Sequence, residues 1–292
     1  MARSDLLLAV PNVSEGRDAD AIAAIGAAFA AGAAELLDVH SDPDHHRSVY
    51  TLAGPRGALA PALAAGAREA ARRIDLREHE GIHPHVGAVD VVPVVHLDAA
   101  RRGAACAEAL VAADLIGRLG IPVLMYGALA AGRTRAQLRR GGPAGLAVRL
   151  EAGEVRPDFG PARPDPRSGV TLCAARPPLI AFNVELAAPA TVADARAIAA
   201  AIREGGAEGL PGLRALGLWL DSAGVAQVSC NVEDHVAVPL RDVVAAVRRH
   251  APVSGAEVIG VPPAAALAGF PADVPTPGFD PATGTLEARL GG

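Results

Sequence analysis

The sequence predicts an α+β protein made of two β-α-β-β-α-β halves. Three observations carry this. Short apolar, strand-like runs alternate with segments whose apolar residues recur every three or four positions, and the same order of elements occurs twice in 292 residues. A stretch rich in Gly, Pro and Arg, residues 139–169, separates the two series and shows little periodicity. The composition is 51% hydrophobic but only 3% aromatic, so the cores must be built from Ala, Val, Leu and Ile. The element order is that of a split βαβ, or ferredoxin-like, unit.

In the first half, Leu6–Val10 is a short apolar run followed by Pro11-Asn12 and reads as a buried strand. Residues 18–33 are Ala-rich, with Ile22, Ile25 and Phe29 at helical spacing. Residues 35–40 and 48–53 read as strands, and 61–74 as a helix with Pro61 at its start. Residues 88–95 are apolar and β-branched, hence a strand. A helix over 98–119 is closed by Gly120, and 121–126 is a further strand. In the second half, 179–186 reads as a strand, and Thr191 can cap a helix with Ala195, Ile198 and Ile202 on one face. Residues 213–220 and 226–232 follow as strands. Residues 239–250 form a helix with Leu240, Val243, Val244 and Val247 inward, and 257–261 closes the set. From Ala268 the chain is Pro-rich and reads as a surface tail. The chain is expected to divide into residues 1–177 and 178–292.

Two strands of the second half alternate cleanly. Ala226, Val228, Cys230 and Val232 oppose Gln227, Ser229 and Asn231; Ile180, Phe182, Val184 and Leu186 oppose Asn183 and Glu185. Both helices of a split βαβ unit cover one sheet face, which leaves the amide-bearing face open. It is either a solvated face or, if two units stack open face to open face, one wall of a polar slot.

The net charge of −5 and the scarcity of aromatics argue against a nucleic-acid partner. No apolar run reaches the ~18–20 residues of a membrane span. Cys106, Cys173 and Cys230 are far apart, with no CxxC pair, and read as free thiols of a reducing compartment. A cytoplasmic protein is expected, and a homodimer is compatible with it.

Seven of the nine histidines (His40, His45, His46, His79, His83, His85 and His96) lie in one window of the chain. Imidazole titrates near neutral pH, so the cluster points to proton transfer or to a metal. His79-Glu80-Gly81-Ile82-His83 matches HExxH, but that zinc motif works only on a helix, and Gly81 and Pro84 break one. A non-helical metal site on His83, His85 and either Asp44 or His46 stays open on the residues alone. Residues 10–17 join the first strand to the first helix, where Ser14 and Asp18 can cap and backbone N–H groups favour anions. Arg47, at the mouth of a strand, suits a carboxylate.

Taken together these stretches resemble the glutamate formimidoyltransferase family, the formiminotransferase domain. Val10 to Arg17 follows its VPN.SEGR pattern. Asp42 to Val49 follows D.DHNRSV, with His46 in place of Asn. His83 to Pro93 follows HPR.GA.DVVP, with His85 in place of Arg. Pro157 to Gly169 resembles its PDFGP segment, Pro178 to Val184 its PLIAFNV, Ala226 to Asn231 its AQVS.N, and Gly255 to Gly260 its last strand. The resemblance implies two ferredoxin-like subdomains whose sheets face each other across a substrate tunnel. It implies transfer of a formimino group from N-formimino-L-glutamate to N5 of tetrahydrofolate, with tetrahydrofolate as co-substrate and no metal.

The catalytic histidine of the resemblance falls on His83, with Asp90 as an orienting partner. Its folate-contacting segment falls on Gly160, Pro161, Ala162, Arg163, Pro164, Asp165, Pro166, Arg167, Ser168 and Gly169. Asn12 falls in the first motif and is assigned to substrate binding. Arg17, Arg47 and Arg163 are candidate holders of glutamate carboxylates, and Asn183, Gln227 and Asn231 candidate partners of the pterin or peptide groups. The change of Arg to His at His85 removes a permanent cation beside the proposed base.

Overall fold

The computed structural model describes residues 6–291. The chain divides into two compact units at Pro177–Pro178. The first contains β1 (Leu7–Ala9), β2 (Asn12–Val13), α1 (Ala19–Phe29), β3 (Glu35–Asp42), β4 (Arg47–Gly54), α2 (Leu59–Arg73), β5 (Val89–Val95), α3 (Arg102–Gly117), β6 (Val123–Met125), α4 (Arg135–Arg139), α5 (Gly142–Glu151) and β7 (Thr171–Arg176). The second contains β8 (Ile180–Leu186), α6 (Val192–Ile202), β9 (Leu213–Leu220), β10 (Val225–Val232), α7 (Leu240–Arg248) and β11 (Val253–Ile259).

In the first unit β1 and β2 form one interrupted strand, and both lie between β4 and β5 as antiparallel partners. With β3 on the far side of β4, the order is β5, β1/β2, β4, β3. The second sheet has the equivalent order, β11-β8-β10-β9, entirely antiparallel. Both units are therefore α+β and ferredoxin-like, as the element order predicted. The first sheet is extended beyond β5 by β7 and β6, which pair in parallel and are fed by the crossover helix α3.

The helices form where periodicity predicts them. Asp18 caps α1, accepting from the N–H groups of Asp20 and Ala21. Thr191 caps α6 in a reciprocal capping box with Asp194. α1, α2 and α3 bury Ile25, Phe29, Leu63, Ala67, Ala109 and Ile116 against the sheet residues Leu7, Leu52, Val92 and Cys173. Gly66 allows the close approach of α1 and α2, since a Cβ there would fall 2.1 Å from the Phe29 ring. In the second unit Phe182, Val184, Val228 and Cys230 meet Ile198, Val243 and Val247 of α6 and α7. Cys173 and Cys230 are fully enclosed in these two cores and Cys106 is half-buried; all three are free thiols.

Residues 139–169 are more ordered than composition suggests. Thr134 and Gln137 form a capping box that starts α4, and Pro143 lies in the first turn of α5. Leu138, Leu146 and Leu150 are buried against Val86, Val91, Leu124, Tyr126 and Leu172, a small core of their own. Three leucines spread over two short helices leave no detectable period. The closing strand begins at Val253, earlier than the apolar run suggests.

Candidate functional site

The segment 79–88, between a short 3-10 turn (Leu76–Glu78) and β5, is not helical. His79 and His83 therefore do not share a helix face, as Gly81 within the motif and Pro84 after it predict. Among the described residues no three His, Cys, Asp or Glu side chains come together so as to hold a metal ion. The segment is tied on two sides. Ile82 N–H donates to Asp44 O (3.3 Å), and Arg17 bridges Pro43 O (3.0 Å) and Glu80 O (3.1 Å). On the other side Val170 N–H donates to Val86 O (2.9 Å) and Ala88 N–H to Ser168 O (2.8 Å). Backbone meets backbone here. A Cβ on Gly87 would sit 2.1 Å from Val170 O, and one on Gly169, at φ +65°, 2.3 Å from Val86 O.

His83 is half-buried. Its Nδ1 is enclosed and makes no hydrogen bond to the described residues. Burial, then the guanidiniums of Arg47 and Arg139 and the His45 imidazole, hold its pKa well below the ordinary value; the Pro84 carbonyl opposes them weakly. The His45 ring lies 6.1 Å away, centroid to centroid, and its Nδ1 is 2.6 Å from Asp42 Oδ2.

The expectation that Asp90 orients His83 directly is not met. Asp90 is fully buried and both its oxygens are engaged elsewhere. Oδ1 accepts from Val86 N–H (2.9 Å); Oδ2 pairs with Arg47 Nη1 (2.7 Å) and with Arg139 Nη2. Burial alone would raise the carboxyl, but Arg139 and Arg47 outweigh it and hold it below the usual carboxylate range. Burial brings Arg47 down to about 10, so it stays protonated at neutral pH. Asn12 aligns Arg47: its Oδ1 accepts from Arg47 Nε (3.0 Å) and its Nδ2 donates to Val10 O (2.8 Å). Arg139, on α4, was missed by sequence reasoning. It lies in the aperiodic segment, and no motif marks it.

The two histidines that depart from the family pattern join a third. His46 stacks on His79 at 4.5 Å, and His79 meets His85 at 4.1 Å. His46 Nδ1 accepts from Gly16 N–H (3.1 Å), beside Glu15. Burial and the neighbouring imidazoles lower the pKa of His46 and His85, with Glu15 opposing the shift at His46.

The other expected residues are dispersed. Arg17 is exposed and two of its donors are taken by backbone carbonyls, so it ties loops together. Arg163 is exposed. The two ends of the segment Gly160–Gly169 meet different elements, with a turn at 165–169. Gly160 abuts Ile121 O and Gly117, whereas Ser168 and Gly169 are buried alongside Val86–Ala88, close to His83 in the chain. Between them Pro161, Ala162, Asp165, Pro166 and Arg167 are exposed and Pro164 half-buried; Arg167 pairs with Asp75 (3.3 Å).

In the second unit Asn183 and Gln227 are buried, on the opposite side of their strands from the residues that meet α6 and α7. Asn183 Nδ2 donates to Glu257 Oε2 (2.8 Å), while Asn183 Oδ1 and both amide atoms of Gln227 lack partners among the described residues. Burial and the Glu257 charge raise the Glu185 carboxyl. Asn231 is half-buried and opposite Arg214 in the register. Buried amides without partners are costly unless a ligand supplies them.

Two family models match the chain. The formiminotransferase domain, N-terminal subdomain, covers residues 6–176, and the formiminotransferase domain covers residues 181–270. The glutamate formimidoyltransferase of Streptococcus pyogenes is 34% identical over 268 residues, 88% of this chain and 89% of that protein. The glutamate formimidoyltransferase of Thermoplasma acidophilum is 32% identical over 274 residues, 90% and 89%. The formimidoyltransferase-cyclodeaminase of Sus scrofa is 38% identical over 284 residues, 90% of this chain but 51% of that protein; the chain spans about half the length of such relatives. Family models over both units, with relatives matched along most of their length, establish that this chain belongs to the formiminotransferase domain family.

Proposed function

We propose that the protein transfers a formimino group from N-formimino-L-glutamate to N5 of tetrahydrofolate. Residues 1–177 supply the catalytic imidazole and 178–292 form the second subdomain. The observation that carries the reading is His83. It is a neutral imidazole in a partly enclosed position, next to a cationic network that keeps it unprotonated, in a chain similar to named glutamate formimidoyltransferases.

The chemistry needs one proton shuttle. N5 of the folate attacks the formimino carbon and loses a proton as the new C–N bond forms. The glutamate nitrogen must gain a proton before its own C–N bond breaks. Nδ1 of His83 is enclosed, so the exchange is assigned to Nε2, which carries the lone pair in the tautomer with its proton on Nδ1. It takes the first proton and returns it to the leaving nitrogen. A base held neutral by burial and nearby cations is ready at neutral pH. No group on this route requires a metal. Asn183, Gln227 and Asn231 offer amide groups to a pterin or a peptide group.

The test is His83→Ala. Loss of a general acid–base group lowers kcat by about 10²–10⁴-fold, while reduced-folate binding, read by fluorescence titration, is retained. Undiminished turnover would refute the assignment. Formylglutamate assayed beside formiminoglutamate separates the two donors.

A further inference from the structure

Around Asp90 the charges do not balance. Two guanidiniums, Arg47 and Arg139, share a single carboxylate oxygen in a buried position. A third, Arg135, lies over the Tyr126 ring at 5.8 Å and acts electrostatically on Arg47. Asp42 is turned to His45 and Glu15 toward His46, so neither neutralises this group. Arg139 Nε and Tyr126 Oη are enclosed without hydrogen-bond partners among the described residues. Buried, uncompensated positive charge is costly, and it is relieved by an anion with several acceptor oxygens.

We propose that Arg139, with Arg47 and Arg135, seats the α-carboxylate of the amino-acid donor. Asp90 is the positioning residue that holds the buried Arg47 and the half-buried Arg139 guanidiniums side by side. The proposal rests on the transfer reading above and adds the donor subsite. Proximity selects the donor. In formiminoglutamate the α-carboxylate is bonded to the carbon bearing the leaving nitrogen. A group that protonates that nitrogen therefore lies within a few bond lengths of it. The glutamate tail of the folate is separated from N5 by the whole aminobenzoyl group. Asp90, which both guanidiniums share, also accepts from the Val86 N–H of the His83 segment, which brings their charge close to the base. Such a seat orients the leaving nitrogen and favours α-amino-acid donors over simple amines.

The test uses the full chain. Arg139→Met should raise the KM for N-formimino-L-glutamate by about 10–100-fold, the effect of losing charge-assisted hydrogen bonds, with the loss on KM rather than kcat. Arg139→Lys should fall between the two. The decarboxylated donor, 4-formiminoaminobutanoate, should be poor for the native protein and no poorer for Arg139→Met. N-formimino-L-glutamine, which keeps the α-carboxylate, should retain the sensitivity. Tetrahydropteroate, which lacks the glutamate tail, should leave the Arg139→Met penalty unchanged; if the penalty disappears with it, the seat serves the acceptor and the proposal falls.

Arg135→Gln does not touch Asp90. It should raise donor KM in the same direction even if Arg139→Met fails to fold. An unchanged donor KM in both Arg139→Lys and Arg135→Gln overturns the proposal and leaves the transfer reading intact. Conversely, if calorimetry finds L-glutamate binding weakened by these variants, and 4-aminobutanoate not binding, in a protein that transfers nothing, the seat stands and the transfer reading falls.

Discussion

Asp90 leaves β5 fully buried, with cations on one side and the His83 segment on the other through Val86. Removing its charge leaves Arg47 and Arg139 facing each other without a counterion. Asp90→Ala should therefore destabilise the fold by about 3–5 kcal/mol, the cost of orphaning buried charges. Urea denaturation measures this, and an unshifted midpoint would show that the arginines find other partners. At this scale the sequence was uneven. His83, Arg47 and Asn12 stand in contiguous motifs, so their types and spacing could be read directly. Arg139 comes from a short helix without a period, and its contact with Asp90 spans 49 positions. Nor could local pattern show that Asp90 holds arginines and not the histidine, because that depends on which side of a strand residue the loop before it passes.

The two ferredoxin-like series were legible because the helices carry apolar stripes, α1 and α6 also have capping residues in Asp18 and Thr191, and β8 and β10 alternate. The extension of the first sheet was not. β7 is a short, almost wholly buried strand without alternation, paired in parallel with β5 and β6, and α4 and α5 are held by three leucines. These elements exist through tertiary burial, not through local periodicity. Where local chemistry does set an element, single changes should act locally. Thr191→Ala removes the cap of α6 and should cost about 1 kcal/mol. Gly169→Ala should cost more, about 1–2 kcal/mol from the left-handed backbone alone, with a further penalty from the Val86 carbonyl. Comparative thermal denaturation should rank Gly169→Ala below Thr191→Ala; the reverse order would mean that the 86–88 and 168–170 crossing yields easily.

Over the whole molecule the shifted histidines share a sign. His46, His83 and His85 have pKa values below the ordinary imidazole value in the folded protein, so the unfolded chain binds more protons. Their contribution is complete above the unfolded value, ~6.5, and is lost as pH falls through the lower folded values. Asp42 and Asp90, also lowered, add a second loss in the acid carboxylate range. Denaturation midpoints should thus decline below pH ~6.5, and a midpoint flat from pH 7 to 5 would contradict this. None of the helices among the described residues is long and apolar enough to cross a membrane. The enclosed thiols carry one more consequence. Burial pushes Cys173 and Cys230 up to about 12, and one belongs to each core. An alkylating reagent at neutral pH should modify Cys106 readily and reach the other two only through opening of the half that houses each. The rates of labelling at positions 173 and 230 would then time the breathing of each half separately, without an introduced probe.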